Sequence, residues 1–349
     1  MRDFNYTQRC EKLLTPKIVL MLNRIEEYKG RHVCRFETTP HLAMGLQEIA
    51  LIHSTEASNR IEGIFTSEHR LRAIVTRKAE PLNRSEAEIA GYRDVLSLIQ
   101  SNVEAIPFTT GTLHQLHRDL FRYTGSALGG KTKATDNTIE AIDETGQRSI
   151  RFQPVSAFET PQALEAMMTA YTKAKENELN PPLILIALVI LDFLCIHPYS
   201  DGNGRMSRLL TLLLMGQSGY LAGQYLSLEK QIEDTKESYY EALHHSSHHW
   251  HEGLNDDGVF VEYALGVWVS LYSDLDERLQ LFSQTKLPKP QRIKQQLLKT
   301  LGEITKRELM DMNPDISETT LEVVLSTLVK EGFLAKVSGG RYTSYVVKN

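Results

Sequence analysis

The sequence has few cysteines and no long apolar run. Three cysteines (Cys10, Cys34 and Cys195) occur in 349 residues, and this odd, scattered set excludes a disulfide framework and suits a reducing cytoplasm. The longest purely apolar run is far shorter than a membrane span, and residues 1–5 do not open a secretory signal. We therefore expect a cytoplasmic protein with no membrane segment.

Neither sign of charge dominates the chain. The formal net charge is −5 and charged residues make up 24% of the sequence, which excludes a polyanion or a general nucleic-acid-binding chain. With 349 residues the chain is long enough for two or three domains with their own cores.

Chemically active residue types concentrate in residues 197–208, which read His-Pro-Tyr-Ser-Asp-Gly-Asn-Gly-Arg-Met-Ser-Arg. The imidazole of His197 can accept a hydroxyl proton near neutral pH. The carboxylate of Asp201 suits Mg²⁺, which binds through one or two carboxylates together with substrate phosphates. The segment therefore predicts a base beside a metal ligand.

The same segment also predicts a phosphate site. Gly202 and Gly204 allow backbone N–H groups to turn toward an anion without a Cβ in the way, with Asn203 between them. Arg205 and Arg208 can donate paired hydrogen bonds to phosphate oxygens. Apolar flanks (183–196 and 209–215) predict two buried helices, so this loop opens onto a helix N-terminus that favours an anion.

This pattern resembles the signature of the Fic family, His-Pro-Phe-x-(Asp/Glu)-Gly-Asn-Gly-Arg-x-x-Arg, with Tyr199 in place of Phe. The resemblance implies transfer of AMP from ATP, with Mg²⁺, to a hydroxyl side chain of a target protein and of the protein itself. The phosphotransferase branch of that family typically has Lys where this chain has Gly204. Gly204 therefore favours the AMP-transferring orientation of the nucleotide.

A second segment supports the resemblance. Ser58-x-x-x-Glu62-Gly63 resembles the inhibitory motif that some Fic proteins carry on a helix ahead of the catalytic core. Gly63 is a suitable helix stop. We expect the Glu62 carboxylate to pair with Arg208 and to take that guanidinium away from the γ-phosphate.

A β-hairpin and a tyrosine pair complete the predicted site. Residues 138–142 and 148–152 predict a hairpin. By the resemblance it forms a flap that pairs with the target segment as an added strand, through Ile150, Arg151, Phe152 and Gln153. The resemblance also places Tyr239, Tyr240 and Ser247 beside the adenine, although a tyrosine pair is equally consistent with a core position.

Two further patterns resemble a nucleotide-binding loop and a metal site, but neither has the context that such a site needs. Residues 125–132 (Gly-Ser-Ala-Leu-Gly-Gly-Lys-Thr) match the P-loop expression, but a P-loop needs a strand before it and a helix after it. Here an amphipathic helix precedes the segment and turn-forming residues follow, so we interpret it as a helix-ending loop. The histidines at 244, 245, 248 and 249 lack a third metal ligand at useful spacing, so they predict a solvated helix end.

Beyond Leu287-Pro288 the pattern predicts a winged helix: three helices (293–301, 305–310 and 317–331) followed by strands 333–337 and 341–347. Its third helix begins with Glu318 and Glu322, which repel a polyanion. DNA binding is therefore possible but not favoured over a protein contact or a homodimer.

Together these patterns predict a mainly α-helical protein. We expect an N-terminal helical region (1–104, including short turns at 28–30 and 81–83), a Fic core (105–285) and the winged helix (286–349). The predicted function is a protein adenylyltransferase inhibited by Glu62. The alternatives are a de-AMPylase that uses Glu62 as its base, and a nucleotide-sensing DNA-binding regulator.

Overall fold

In this computed structural model, residues 2–38, 40–142, 148–283, 288–300, 303–337 and 343–347 are described. The chain divides into two compact units, one of Met1–Glu27 with Ala50–Tyr272 and the other of Tyr28–Ile49 with Ser273–Asn349. The boundaries expected after residues 104 and 285 stay predictions.

Helices dominate the first unit, which confirms the mainly α-helical class. Three of the helices, α2, α3 and α13, continue beyond the bounds of this unit. The helices are α1 Tyr6–Leu13, α2 Pro16–Thr38, α3 Pro40–Ile61, α4 Glu68–Val75, α5 Arg84–Asn102, α6 Thr110–Leu120, α7 Thr160–Lys175, α8 Pro182–Ile196, α9 Asn203–Gln217, α10 Ala222–Tyr225, α11 Leu228–Asp234, α12 Lys236–Ser247 and α13 Asp257–Ser283.

Helix α8 is the central element of this unit. Every residue from Leu183 to Ile196 is buried, as the continuous apolar run predicts, and Pro182 occupies the first helical turn. α8 packs against α7 and α9. Because α8 ends at the motif and α9 begins inside it, the core fixes both ends of the predicted phosphate loop.

The turn expected at residues 28–30 is wrong, because α2 runs unbroken from Pro16 to Thr38. Glycine inside a helix costs roughly 1 kcal/mol, which packing can outweigh. Ile18 and Ile25 of α2 are buried, and a Cβ at Gly30 would meet no atom within 4 Å. Gly30 is therefore tolerated in the helix and is not required for a turn.

The predicted hairpin is confirmed. Strands β1 (Ile139–Ile142) and β2 (Arg148–Phe152) pair antiparallel, with Glu140 opposite Ile150 and a register shift next to Ile139. Its predicted turn, residues 143–147, lies outside the described residues.

The second unit contains the elements of the predicted winged helix. Helices α14 (Lys289–Lys299), α15 (Lys306–Asp311) and α16 (Glu318–Lys330) cover an antiparallel sheet in the order β3, β5, β4. The strands are β3 Ile304–Thr305, β4 Leu334–Lys336 and β5 Ser344–Val347. The core of these elements includes Leu309, Leu321 and Leu325. Strand β3 was not predicted, since two residues carry no usable alternation.

Candidate active site

His197 lies at the C-terminal end of α8 with a left-handed backbone (φ 51°, ψ 61°). Such a conformation is rare for a residue other than glycine, and it is typical of functional sites. Nδ1 lies 3.2 Å from the carbonyl oxygen of Leu194, which can only accept, so Nδ1 carries the proton. Nε2 therefore keeps its lone pair and can act as a base.

The charge state of His197 suits this role. Burial lowers its pKa to about 4, the carbonyl of Leu194 and the carboxylate of Glu62 act in the opposite direction, and the cation of Lys133 lowers it further. The imidazole is therefore neutral at pH 7.

The loop between α8 and α9 is closed by its own side chains. Asn203 accepts a hydrogen bond from the backbone N of Tyr199 (3.0 Å) and donates one to the carbonyl of the same residue (2.7 Å). Gly202 has a φ of +81°, and a Cβ there would lie 2.9 Å from the ring of Phe121. Both conformation and space therefore require glycine at 202.

Asp201 is oriented but still accessible. Its side chain is 43% exposed, and Oδ1 accepts a hydrogen bond from the backbone N of Gly202 at 2.6 Å. Oδ2 lies 3.9 Å from the guanidinium of Arg84. Among the described residues no group of three or more His, Cys, Asp or Glu could hold a metal ion. This arrangement fits Mg²⁺, which can bind through one carboxylate and substrate phosphates.

Arg205 lies behind the loop. Its side chain is 1% exposed and donates a 2.6 Å hydrogen bond to Glu88, and its other nitrogen lies 3.5 Å from Asp201. The guanidinium also covers the ring of Phe121 at 5.2 Å. In this position Arg205 contacts Asp201, and the phosphate contact expected from the sequence stays a prediction.

Arg208 of α9 binds two residues of α3. Its Nε donates to the hydroxyl of Ser58 and its Nη2 to the carbonyl of Ser58, both at 2.8 Å. Nη2 also donates to Glu62 Oε1 at 2.8 Å, which confirms the predicted pairing. Burial alone would lower the pKa of Arg208, but the carboxylate of Glu62 raises this pKa above its ordinary value.

The end of α3 places Glu62 over the loop between α8 and α9. Gly63 has a φ of +76° and stops the helix, as predicted. Lys236 of α12 donates to the carbonyl of Ile61 at 2.9 Å and holds this helix end. A Cβ at Gly204 would lie 2.2 Å from Glu62 Oε1, so the carboxylate rests directly on the glycine.

Some of these groups line a cavity of about 550 Å³, but Asp201 and Arg205 do not. Predicted site residues that line it are Glu62, Arg151, Phe152, His197, Gly204, Arg208, Tyr239, Tyr240 and Ser247. Its wall also includes Leu194 and Leu243, which apolar periodicity alone could not distinguish from core residues. Ile150 of the hairpin does not line the cavity, and its side chain is 67% exposed.

The two tyrosines differ in environment. Tyr239 is buried and packs against the rings of Phe260 and Tyr263, so it forms part of the core as well as the cavity wall. Tyr240 faces the hairpin, where the guanidinium of Arg151 lies 5.4 Å from its ring centre. The hairpin and α12 therefore meet at Tyr240.

Comparison with known proteins gives consistent results. A family profile described as Fic/DOC family matches residues 107–215. The chain is 25% identical over 199 residues to protein adenylyltransferase Fic of Nematostella vectensis, a match that covers 55% of this chain and 42% of that protein. It is 35% identical over 68 residues to a Fido domain-containing protein of Dictyostelium discoideum, covering 18% of this chain and 47% of that protein. The matches thus span less than half the length of these curated relatives.

A solved structure matches over nearly the whole chain. A Fic family protein from Desulfovibrio desulfuricans G20 superposes with a TM-score of 0.61 at 20% identity, covering 96% of this chain and 97% of that one. No helix among the described residues combines the length and apolarity needed to cross a membrane. The profile match includes α8, the loop with His197 and most of α9, and it agrees with the geometry of that loop. The chain therefore carries a Fic/DOC family domain at residues 107–215.

Proposed function

We propose that this protein transfers AMP from ATP to a hydroxyl side chain of a target protein, and that Glu62 inhibits the transfer. The observation that carries the proposal is the ion pair of Glu62 with Arg208 inside the cavity that also contains His197. The relative from Nematostella vectensis, named as a protein adenylyltransferase, supports the same chemistry.

The proposed reaction is an in-line displacement at the α-phosphorus. His197 Nε2 takes the proton of the attacking Ser, Thr or Tyr hydroxyl, the new O–P bond forms, and pyrophosphate leaves. Backbone N–H groups at the N-terminus of α9, around Gly204, stabilise the phosphate charge. Asp201 would hold Mg²⁺, which when bound supplies positive charge at the phosphate oxygens.

Inhibition follows from competition for one guanidinium. Arg208 makes hydrogen bonds to Ser58 and Glu62 and is buried, so it has little capacity left for a γ-phosphate. ATP would then bind with a misplaced triphosphate. Misplacement by about 1 Å can lower the rate on the order of 10²-fold.

The test is incorporation of label from α-³²P ATP by the wild-type protein and by Glu62→Gly. We expect at least an order of magnitude more label in the variant. Glu56→Ala is the matched control, because the Glu56 carboxylate binds Arg60 on the same helix. Equal labelling of wild type and Glu62→Gly contradicts the inhibition, and no labelling by either contradicts AMP transfer.

The alternative, removal of AMP from a modified protein, has one observation in its favour. The charge and hydrogen bond of Arg208 hold the pKa of Glu62 below its ordinary value against the opposing effect of burial, so an ionised carboxylate lines the cavity of His197. Such a carboxylate could activate a water molecule. Loss of AMP release from a pre-labelled protein in a Glu62→Gln variant would favour this reaction over transfer.

DNA binding through the second unit stays a prediction. Lys306 of α15 donates hydrogen bonds to Glu318 and Glu322 at the start of α16, at 2.8 and 2.7 Å, so this cation is engaged by carboxylates of the helix that would face a groove. A gel shift with random duplex DNA tests the regulator hypothesis, and size-exclusion chromatography tests the homodimer.

The proposed transfer also requires a target protein, whose identity is unknown.

A further inference from the structure

The segment that matches the P-loop expression contacts the catalytic loop through its backbone. Residues 125–132 follow α6 and form turns without a strand or helix, which confirms the predicted helix-ending loop. Next to it, the backbone N of Lys133 donates to the carbonyl of Pro198 at 2.9 Å, and its Nζ donates to the carbonyl of Ile196 at 3.2 Å. The two carbonyl groups that flank His197 are thus held by one buried lysine.

His117 of α6 makes the corresponding contact at the other end of the loop. Its Nε2 lies 3.0 Å from the carbonyl of Asp201, and its Nδ1 accepts the backbone N–H of Gly130 at 2.9 Å. Because a carbonyl only accepts, Nε2 is the donor and both ring nitrogens are occupied. The ring also stacks on Tyr199 with centroids 3.7 Å apart and an angle of 5°.

Gly130 makes this arrangement possible. Its φ is +76°, and a Cβ there would lie 2.9 Å from the carbonyl oxygen of His114. The resemblance to a P-loop thus has a structural explanation: the glycines allow the segment to approach α6 and present one N–H to His117.

We propose that His117 and Lys133 are positioning residues, which fix the carbonyl groups of Ile196, Pro198 and Asp201 and thereby place the His197 base and the Asp201 carboxylate. This inference rests on the proposed function. Neither residue lines the cavity, so both act through the loop backbone. The stacked ring of His117 and the two contacts of Lys133 hold the loop at both ends.

The kinetic test uses the Glu62→Gly protein as parent. We expect His117→Leu and Lys133→Met to lower kcat on the order of 10²-fold, because misplacement of the base by about 1 Å has an effect of that size. The KM for ATP should stay within about twofold of the parent's value. His117→Gln should recover much of the loss, because its amide can donate to the Asp201 carbonyl. Lys131→Met is the matched control, since Lys131 is exposed two residues away. Parental kcat in either variant, or a Gln variant no better than Leu, overturns the proposal.

A second measurement does not depend on turnover. Amide hydrogen exchange of Gly202, whose N–H donates to Asp201, should accelerate at least tenfold in His117→Leu, and the ¹⁵N spectrum of His197 should show a second tautomer in Lys133→Met. Unchanged exchange and an unchanged spectrum overturn the proposal even if the parent transfers no AMP. If a variant does not fold, His117→Gln and Lys133→Gln are measured in the same two ways.

Discussion

Arg208 Nη2 and Glu62 Oε1 lie 2.8 Å apart although 146 residues separate them in the chain. The pair joins the start of α9, where a phosphate would bind, to the end of α3. Burial opposes the charge of both groups, yet the pKa of Arg208 is raised and the pKa of Glu62 is lowered, so each partner stabilises the charged form of the other. Both groups are charged at neutral pH, so under the proposed function a triphosphate would have to displace this ion pair.

We expect Arg208→Ala to transfer AMP poorly whether or not Glu62 is present. Removal of Arg208 takes away the proposed γ-phosphate ligand, so the additional Glu62→Gly substitution cannot restore the rate. The check is label incorporation by Arg208→Ala and by the double variant, compared with Glu62→Gly alone. A double variant as active as Glu62→Gly would show that Arg208 serves only to hold Glu62.

His197→Ala in the Glu62→Gly background is expected to lower transfer by about 10²–10⁴-fold, the usual contribution of a positioned base. The fold and ATP binding should persist, because the imidazole makes its hydrogen bond to the adjacent turn of α8. Single-turnover labelling and calorimetric ATP titration measure the two properties separately. Parental transfer by this variant would reject the base assignment.

Asp201→Ala in the same background is expected to lose activity through the metal, and added Mg²⁺ should restore only part of it. The carboxylate has one oxygen held by Gly202 N and is partly exposed, as a single-carboxylate Mg²⁺ ligand would be. Asp234→Ala, a change at an exposed carboxylate of α11, is the control. Full activity of Asp201→Ala in EDTA would exclude the metal role.

The lowered pKa of His197 predicts a pH-dependent stability. Its folded pKa is about 4 and its ordinary value is 6.5, so between these values the unfolded chain binds a proton that the folded protein does not. The contribution of His197 to the free energy of unfolding is therefore fully present above pH 6.5. It is lost as the pH falls to 4, at about 1.4 kcal/mol per pH unit. Urea unfolding at several pH values should show a shallower dependence for His197→Asn than for wild type, and parallel curves would contradict the shift.

The catalytic loop could be predicted from the sequence because its chemistry and its flanks agree. The apolar run before His197 and the leucines after Arg208 specify two buried helices, and the glycines between them specify the turn. The pairing of Glu62 with Arg208 followed from charge and from the resemblance. The hairpin followed from alternation around a glycine-bearing turn.

The remaining parts depend on tertiary contacts that no local pattern shows. Gly30 suggested a turn, whereas packing of α2 overrides the weak preference of one glycine. The hydrogen bond of Arg205 to Glu88 was not predicted either, because Glu88 lies 117 residues away on α5. The contacts of Lys133 with residues 196 and 198 could not be predicted either, because the sequence around Lys133 indicates only a loop.

The contact of Gly204 with the Glu62 carboxylate predicts how two distant positions vary together in evolution. A side chain at 204 would occupy the space of Oε1, so a lineage that gains a residue larger than glycine there first has to lose or move the carboxylate at 62. Among relatives of this chain, glutamate at 62 should be accompanied by glycine at 204, and a larger residue at 204 should be accompanied by another residue at 62. A change at one of them would then reveal, from sequence alone, a protein that has given up this form of restraint.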